Sequence, residues 1–177
     1  KDVMNRIQNI IKIIEPHDSR KRYTALGVEC IEGEAKILSP HNVEVNGITL
    51  TARSIIIATG AKPLIPNIPG LDQINYLTSN NVWDLKELPK KLLVLGGGPI
   101  GVEMAQAFSR LGAEVTIVEM TPQILIREDE EVIELVTERF VKEGIKVLIN
   151  HKAKEFKHNL LICEHKSKDV SIPFDKI

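Results

Sequence analysis

Cysteine is scarce in this sequence. The 177 residues hold two, Cys30 and Cys163, too few and too far apart for a disulfide framework, which suits a reducing cytoplasm. Charge of one sign is not in excess either: 23 Lys and Arg stand against 24 Asp and Glu, a formal net charge of -1. With no basic surplus to neutralise a phosphate backbone, a nucleic-acid partner is excluded. Long apolar runs are missing too. Ser54–Ala58 and Leu92–Leu95 fall far short of the roughly twenty residues a membrane span requires, so no membrane segment is expected. Five histidines, His17, His41, His151, His158 and His165, show no metal-ligand spacing. Cys163-x-His165, the only close pair, reads as a surface strand, and no metal site is expected. The chain opens on Lys1 with no signal-peptide pattern and reads as an internal piece of a longer protein. What remains, 43% hydrophobic and 27% charged, is ordinary globular composition.

The periodicity divides the chain. Val3, Ile7, Ile10, Ile11 and Ile14 recur at spacings of three and four, predicting an amphipathic helix over Asp2–Glu15 that Pro16 stops. From Gly27 the period becomes two. Strands are expected from Val28, at Ala35–Leu38, at Val43–Val45 and at Ile48–Leu50, with Asn46-Gly47 as a hairpin turn. Ser54–Ala58 is a continuous apolar run, as expected of a strand buried on both faces of a parallel sheet. Three prolines between Lys62 and Gly70 read as a semi-rigid linker.

Beyond the linker the grammar changes. Leu92–Leu95 predicts a strand, Ile100–Leu111 a helix closed by Gly112, and Val115–Val118 the next strand. Glu128–Glu131 places negative charge in the first turn of a helix running to Lys142, with Val132, Leu135, Val136 and Phe140 as its apolar face. Ile145–Ile149 is a third strand, and the tail to Ile177 is β-hairpin material. Strand, helix, strand, helix, strand is half of a Rossmann-type unit with a parallel sheet. The fold class is therefore α/β, a parallel sheet accompanied by an antiparallel β-meander.

Between the first strand and helix of that unit lies Gly96-Gly97-Gly98-Pro99-Ile100-Gly101, a Gly-x-Gly-x-x-Gly. Its first glycine permits a tight turn, its second lets backbone approach a pyrophosphate, and its third lets the helix pack on the strand. The first-turn amides around Pro99–Val102 then face the anion at the positive end of the helix dipole. Pro99 suits a position where an N–H has no intrahelical partner. Glu119 ends the following strand at the offset expected of the acid that holds the adenine ribose. A carboxylate there repels a 2′-phosphate, so NADH is favoured over NADPH. Glu103, from its place alone, is an N-terminal helix acid that the dipole favours.

The ordered set Ser54–Pro63, Pro66–Gly70, Leu88-Pro89, Gly96–Glu103 and Val118–Met120 resembles the pyridine nucleotide-disulfide oxidoreductases, and within them the mercuric reductase and dihydrolipoamide dehydrogenase branch. That resemblance implies a Rossmann-like FAD/NAD(P)-binding fold and a fragment of a larger cytoplasmic flavoenzyme. Residues 1–75 would be the latter part of a FAD-binding domain and residues 76–177 most of an NAD(P)-binding domain. It further implies that Ala35, Thr59 and Gly60 meet FAD, and that Glu103 lies near nicotinamide and flavin. Hydride would pass from NADH to flavin, then to a disulfide, a metal ion or another acceptor. Relatives also carry a flavin glycine loop with a Cys-x4-Cys redox pair, and a C-terminal domain through which the full-length protein forms a homodimer. Residues 1–177 contain neither, so no residue here is assigned a catalytic role, and the fragment alone is expected to be inactive. The alternatives are a non-catalytic dinucleotide-sensing module, or a flavin NADH oxidase or ferredoxin-reductase type without the cysteine pair.

Overall fold

The computed structural model describes residues 1–177 and separates into two compact units, Asp2–Lys62 and Pro63–Ile177. The first contains helix α1 (Asp2–Ile14), a short helix α2 (Arg20–Ala25), and an antiparallel sheet of β1 (Ala35–Ser39), β2 (Asn42–Val45) and β3 (Ile48–Thr51) in the order β1-β2-β3. The β2–β3 turn forms as its residues dictate: Asn46 and Gly47 both take positive φ, 52° and 77°, the twist a two-residue hairpin needs. α2 was not legible in the sequence. Ser19 caps it, accepting the Arg22 N–H at 3.3 Å, a single side-chain contact in place of an apolar period.

Two expected strands are absent from this unit. Residues 28–33 carry no strand, and neither does Ser54–Ala58, where Ile56 is 89% and Ile57 70% exposed. A buried parallel strand exists only where neighbours complete its hydrogen bonds, and no strand of this chain lies beside it. α1 forms as predicted, yet none of its residues is buried, and Val3, Ile10, Ile11 and Ile14 are exposed.

The second unit holds β4 (Lys91–Leu95), α3 (Pro99–Arg110), β5 (Glu114–Val118), α4 (Glu130–Lys142) and β6 (Lys146–Leu148). Its strands form a parallel sheet, order β4-β5-β6, with Leu92 opposite Val115 and Ile117 opposite Val147. β5 lies between two neighbours and is the most apolar in its surroundings: Val115, Ile117 and Val118 are all buried. α3 covers the sheet with Val102, Ala105 and Phe108, three residues apart in turn. α4 buries Ile133 and Phe140. The expected face was wrong in part, because Val132 is exposed and Leu135 is 70% exposed; packing selects the stripe through Ile133, one position away. Glu143, just past α4, clamps the two helices. It accepts from Arg110 at 2.7 Å, Arg139 at 2.6 Å and Gln106 at 3.1 Å. Those donors, Arg110 foremost, pull its carboxyl down to about 2.

The tail is a full three-stranded antiparallel sheet, β7 (Lys152–Lys157), β8 (Leu160–His165) and β9 (Lys168–Pro173), not a lone hairpin. It packs on one face of the parallel sheet, where Leu95, Val118 and Leu148 stand in register. Leu161, Cys163, Ile172 and Phe174 join Leu93 and Val118 in one core, with Phe156 and Phe174 edge to face at 5.9 Å. Cys163 is thus fully buried rather than on a surface strand, and burial pushes its thiol up to about 11. The proline segment is not wholly a linker either: Ile68 and Leu71 pack into this core, and the Phe156 N–H donates to Pro69 O at 2.8 Å.

The burial pattern of α4 makes a test. Phe140→Ala should cost about 3–5 kcal/mol through the cavity it leaves. Leu135→Ala should stay within about 0.5 kcal/mol, both read from urea unfolding by circular dichroism.

Candidate functional site

β4 delivers the chain into the glycine loop, and α3 takes it out. At Gly96 the backbone turns with φ of 103°, a conformation that a side chain makes costly. Its N–H still donates to Val118 O at 2.9 Å, so the turn begins while the chain is paired to β5. Gly101 lacks a side chain for a different reason. A Cβ there would collide with the Gly96 carbonyl oxygen and lie 3.2 Å from Val94 Cγ1; α3 starts directly against the loop. At Gly98, by contrast, a Cβ would meet nothing within 4 Å. This is the open face of the loop. Gly98 forms the N-cap with extended backbone, Pro99 follows at the first helical position, and the Val102 N–H closes on Gly98 O at 2.9 Å. Ile100 is exposed. Pro99 has no N–H and Val102 is already bonded to Gly98, so the amides of Ile100 and Gly101 are the ones left at the positive end of the helix, where an anion is stabilised.

Gly97 is held from several sides. Its N–H donates to Glu119 Oε2 at 2.7 Å, and its carbonyl accepts the Leu125 N–H at 2.7 Å. Ile124 covers it, with Cγ2 2.6 Å from where a Cβ would stand. Its amide therefore serves the protein's own carboxylate.

Glu119 follows β5 directly and is half-buried. Its main chain is fixed by Leu148 O, which accepts its N–H, and by the His151 N–H, which donates to its carbonyl, both at 2.9 Å. Oε1 accepts the Thr121 N–H at 2.8 Å and lies 2.8 Å from the Thr121 hydroxyl. Burial is the largest single influence on this carboxyl and raises its pKa. The donors on Gly97, Thr121 and Met120 together outweigh it and hold the group below the usual carboxylate range. Each carboxylate oxygen accepts more than one hydrogen bond, so capacity remains for sugar hydroxyls. Sequence reasoning found the acid but missed its clamp. Thr121 carried a faint signal, a hydroxyl residue two positions past an acid at a strand end; Ile124 and Leu125 carried none.

The structure thus brings Gly96, Gly97, Gly98, Pro99, Ile100, Gly101 and Glu119 into one locus. Glu103 is exposed on α3, one turn beyond Pro99 and Ile100. Ala35 opens β1 opposite Val45, and Thr59-Gly60 lies in exposed chain outside any strand, with Gly60 at a positive φ of 70°; all three belong to the Asp2–Lys62 unit. A mostly apolar cavity of about 580 Å³ opens beside Gly98 and Pro99, lined also by Met104, Leu64, Thr78 and Ile177. Glu119 does not line it. It runs along the outer edge of β4, where Leu93 N–H donates to Lys176 O at 2.8 Å, and meets the loop only at the loop's open face.

A parallel sheet, a tight glycine turn into a helix and a clamped acid at the next strand end define the α/β architecture of a Rossmann-type unit. The pyridine nucleotide-disulphide oxidoreductase family matches residues 4–177, and the chain belongs to it. It is 43% identical over 122 residues to a mercuric reductase of Bacillus cereus, across 69% of this chain and 19% of that protein. It is 36% identical over 154 residues to a dihydrolipoyl dehydrogenase of Mycoplasma genitalium, across 85% of this chain and 34% of the relative. Among solved structures it matches the Cu(II) complex of the HOCl-induced flavoprotein disulfide reductase RclA of Escherichia coli. That match has a TM-score of 0.75 and 26% identity, and covers 98% of this chain and 40% of RclA. The chain therefore spans between about a fifth and two fifths of the length of these relatives. No helix in it is long and apolar enough to cross a membrane.

The clamp has a pH signature. A carboxyl whose folded pKa is depressed contributes stability above its unfolded pKa of about 4.3, and loses it as pH falls through the folded value. Wild type should exceed Glu119→Gln in stability at pH 7. That margin should shrink as the pH is lowered below about 4, measured by urea unfolding at stepped pH.

Proposed function

We propose that the Pro63–Ile177 unit binds NAD(P)H, with NADH preferred, and that in the whole protein it serves a FAD-dependent oxidoreductase. The observation that carries this reading is the open face of Gly98 at the start of α3, beside a loop held rigid through Gly97 and Glu119. Backbone can approach a pyrophosphate there, and the amides of the first turn of α3 supply donors to it. Glu119, ionised and already oriented, accepts from the adenine ribose hydroxyls and disfavours a 2′-phosphate by charge repulsion. Glu103, exposed one turn into α3, places a negative charge toward the nicotinamide end.

In the same protein, residues 1–75 form the latter part of a FAD-binding domain and residues 76–177 most of the NAD(P)-binding domain. Ala35, Thr59 and Gly60 offer small side chains, and Gly60 has nothing within 4 Å of its missing Cβ, so a flavin nucleotide can lie close to the backbone. The uncovered apolar face of α1 and the unpaired Ser54–Ala58 fit a unit that packs into a larger domain. With both cofactors bound, the chemistry supplied is hydride transfer from nicotinamide to flavin, then electron transfer to a disulfide, metal ion or other acceptor. Residues 1–177 hold no second glycine loop and no closely spaced cysteine pair; acceptor chemistry and homodimer contacts belong to other parts of the protein. The two scattered cysteines fit a cytoplasmic setting.

Gly98→Val tests the loop, because the fold has room for the new side chain. Titration with NADH should show binding lost, while the far-ultraviolet spectrum stays native. Unchanged affinity would remove the loop from the site. Glu119→Arg tests cofactor choice. Its loss of the Gly97 contact loosens binding of both nucleotides, so the ratio is the readout: the NADH-to-NADPH preference should fall by about tenfold or more. An unmoved ratio refutes the assigned role of the acid.

A further inference from the structure

We infer that Thr121 is a second residue that reads the adenine ribose, its hydroxyl accepting a hydrogen bond from one sugar hydroxyl while Glu119 accepts from the other. The role presupposes the dinucleotide site proposed above. Thr121 follows Glu119 by two positions, and both are half-buried. Its main chain is fixed. The Thr121 carbonyl accepts the Asn150 N–H at 2.9 Å, and Pro122 after it restricts its backbone.

The hydroxyl is surplus to the clamp. Glu119 already has a main-chain donor on each oxygen, the Gly97 N–H on Oε2 at 2.7 Å and the Thr121 N–H on Oε1 at 2.8 Å. Those two fix the plane of the carboxylate. Thr121 Oγ1 stands between two acceptors, Glu119 Oε1 at 2.8 Å and Gln123 O at 2.7 Å. An ionised carboxylate and a carbonyl only accept, and a hydroxyl carries one proton. One proton therefore has two claimants, and rotation about the Cβ–Oγ1 bond moves it between them. Of the two, the charged oxygen is the stronger acceptor. A sugar hydroxyl that donates to Oε1 takes that place, and the Thr121 proton turns to Gln123 O. Oγ1 then directs a lone pair at the ribose, where the vicinal hydroxyl donates to it. Each donor has an acceptor in that arrangement, and no main chain has to move. A residue that only oriented Glu119 would need no hydroxyl, because its N–H does that work.

Isothermal titration of the 177-residue chain with NADH, and with its two analogues lacking the adenosine 2′- or 3′-hydroxyl, tests the role. Wild type should bind each analogue about fivefold or more weakly than NADH. Thr121→Val keeps the side-chain shape and both main-chain donors, yet should lose a similar factor on NADH; Thr121→Ala should do the same, and Thr121→Ser should keep wild-type affinity. For one analogue the two losses should not add: Thr121→Val should bind it as well as wild type does, because the partner of the missing hydroxyl is already gone. For the other analogue the loss belongs to Glu119 and persists in the variant. Native far-ultraviolet spectra for the variants separate a lost contact from unfolding. Additive losses for both analogues, or unchanged NADH affinity in Thr121→Val, would overturn the assignment and leave the nucleotide site standing. No NADH binding by wild type would remove the site and the role of Thr121 together.

Discussion

The contact on which this unit depends joins the Gly97 amide to the Glu119 carboxylate. Two segments, the glycine turn after β4 and the acid after β5, are 22 residues apart in sequence and tied by a 2.7 Å hydrogen bond. A charge-assisted bond of this kind is stronger than a neutral one, and partial burial protects it from water. Thr121 holds the second carboxylate oxygen, so the acid cannot turn away. Loop and acid behave as one preorganised piece, and a ligand that needs both meets them already aligned. Preorganisation of this sort improves affinity by lowering the ordering cost of binding.

Around that piece the packing follows from position in the sheet. β5 is flanked on both sides and carries the most completely buried residues, while α3 presses against the loop with no side chain at Gly101 to separate them. The antiparallel β7–β9 sheet seals the end of the core through Phe156, Leu161, Ile172 and Phe174. This placement explains the proline segment. Its latter residues read as a spacer because prolines hold chain extended, yet Ile68 and Leu71 are apolar and find a surface prepared by Phe156.

Legibility tracked the range of the interaction. The Asn46-Gly47 turn, the cap of α3 and the Gly96 turn are set by local backbone sterics, and each is where its residues indicate. The face of α4 was shifted by one position, because Val132 and Ile133 are both apolar and only the neighbouring sheet distinguishes them. Ser54–Ala58 has a strand's composition and no strand's neighbours. Composition proposes a strand; ladder partners make one.

By itself, then, the order of residues determined what depends on neighbours along the chain: helices α1, α3 and α4, the Asn46-Gly47 turn, the glycine loop, and a carboxylate at the expected offset beyond it. Tertiary structure alone decided which partners those groups meet. It turned Gly97 inward to Glu119 and left Gly98 facing outward, though both are glycines in one short loop. It buried Cys163 and set His151 against His165. The physical reason is that burial and hydrogen bonding act between groups close in space, and distance in space is not written in spacing along the chain.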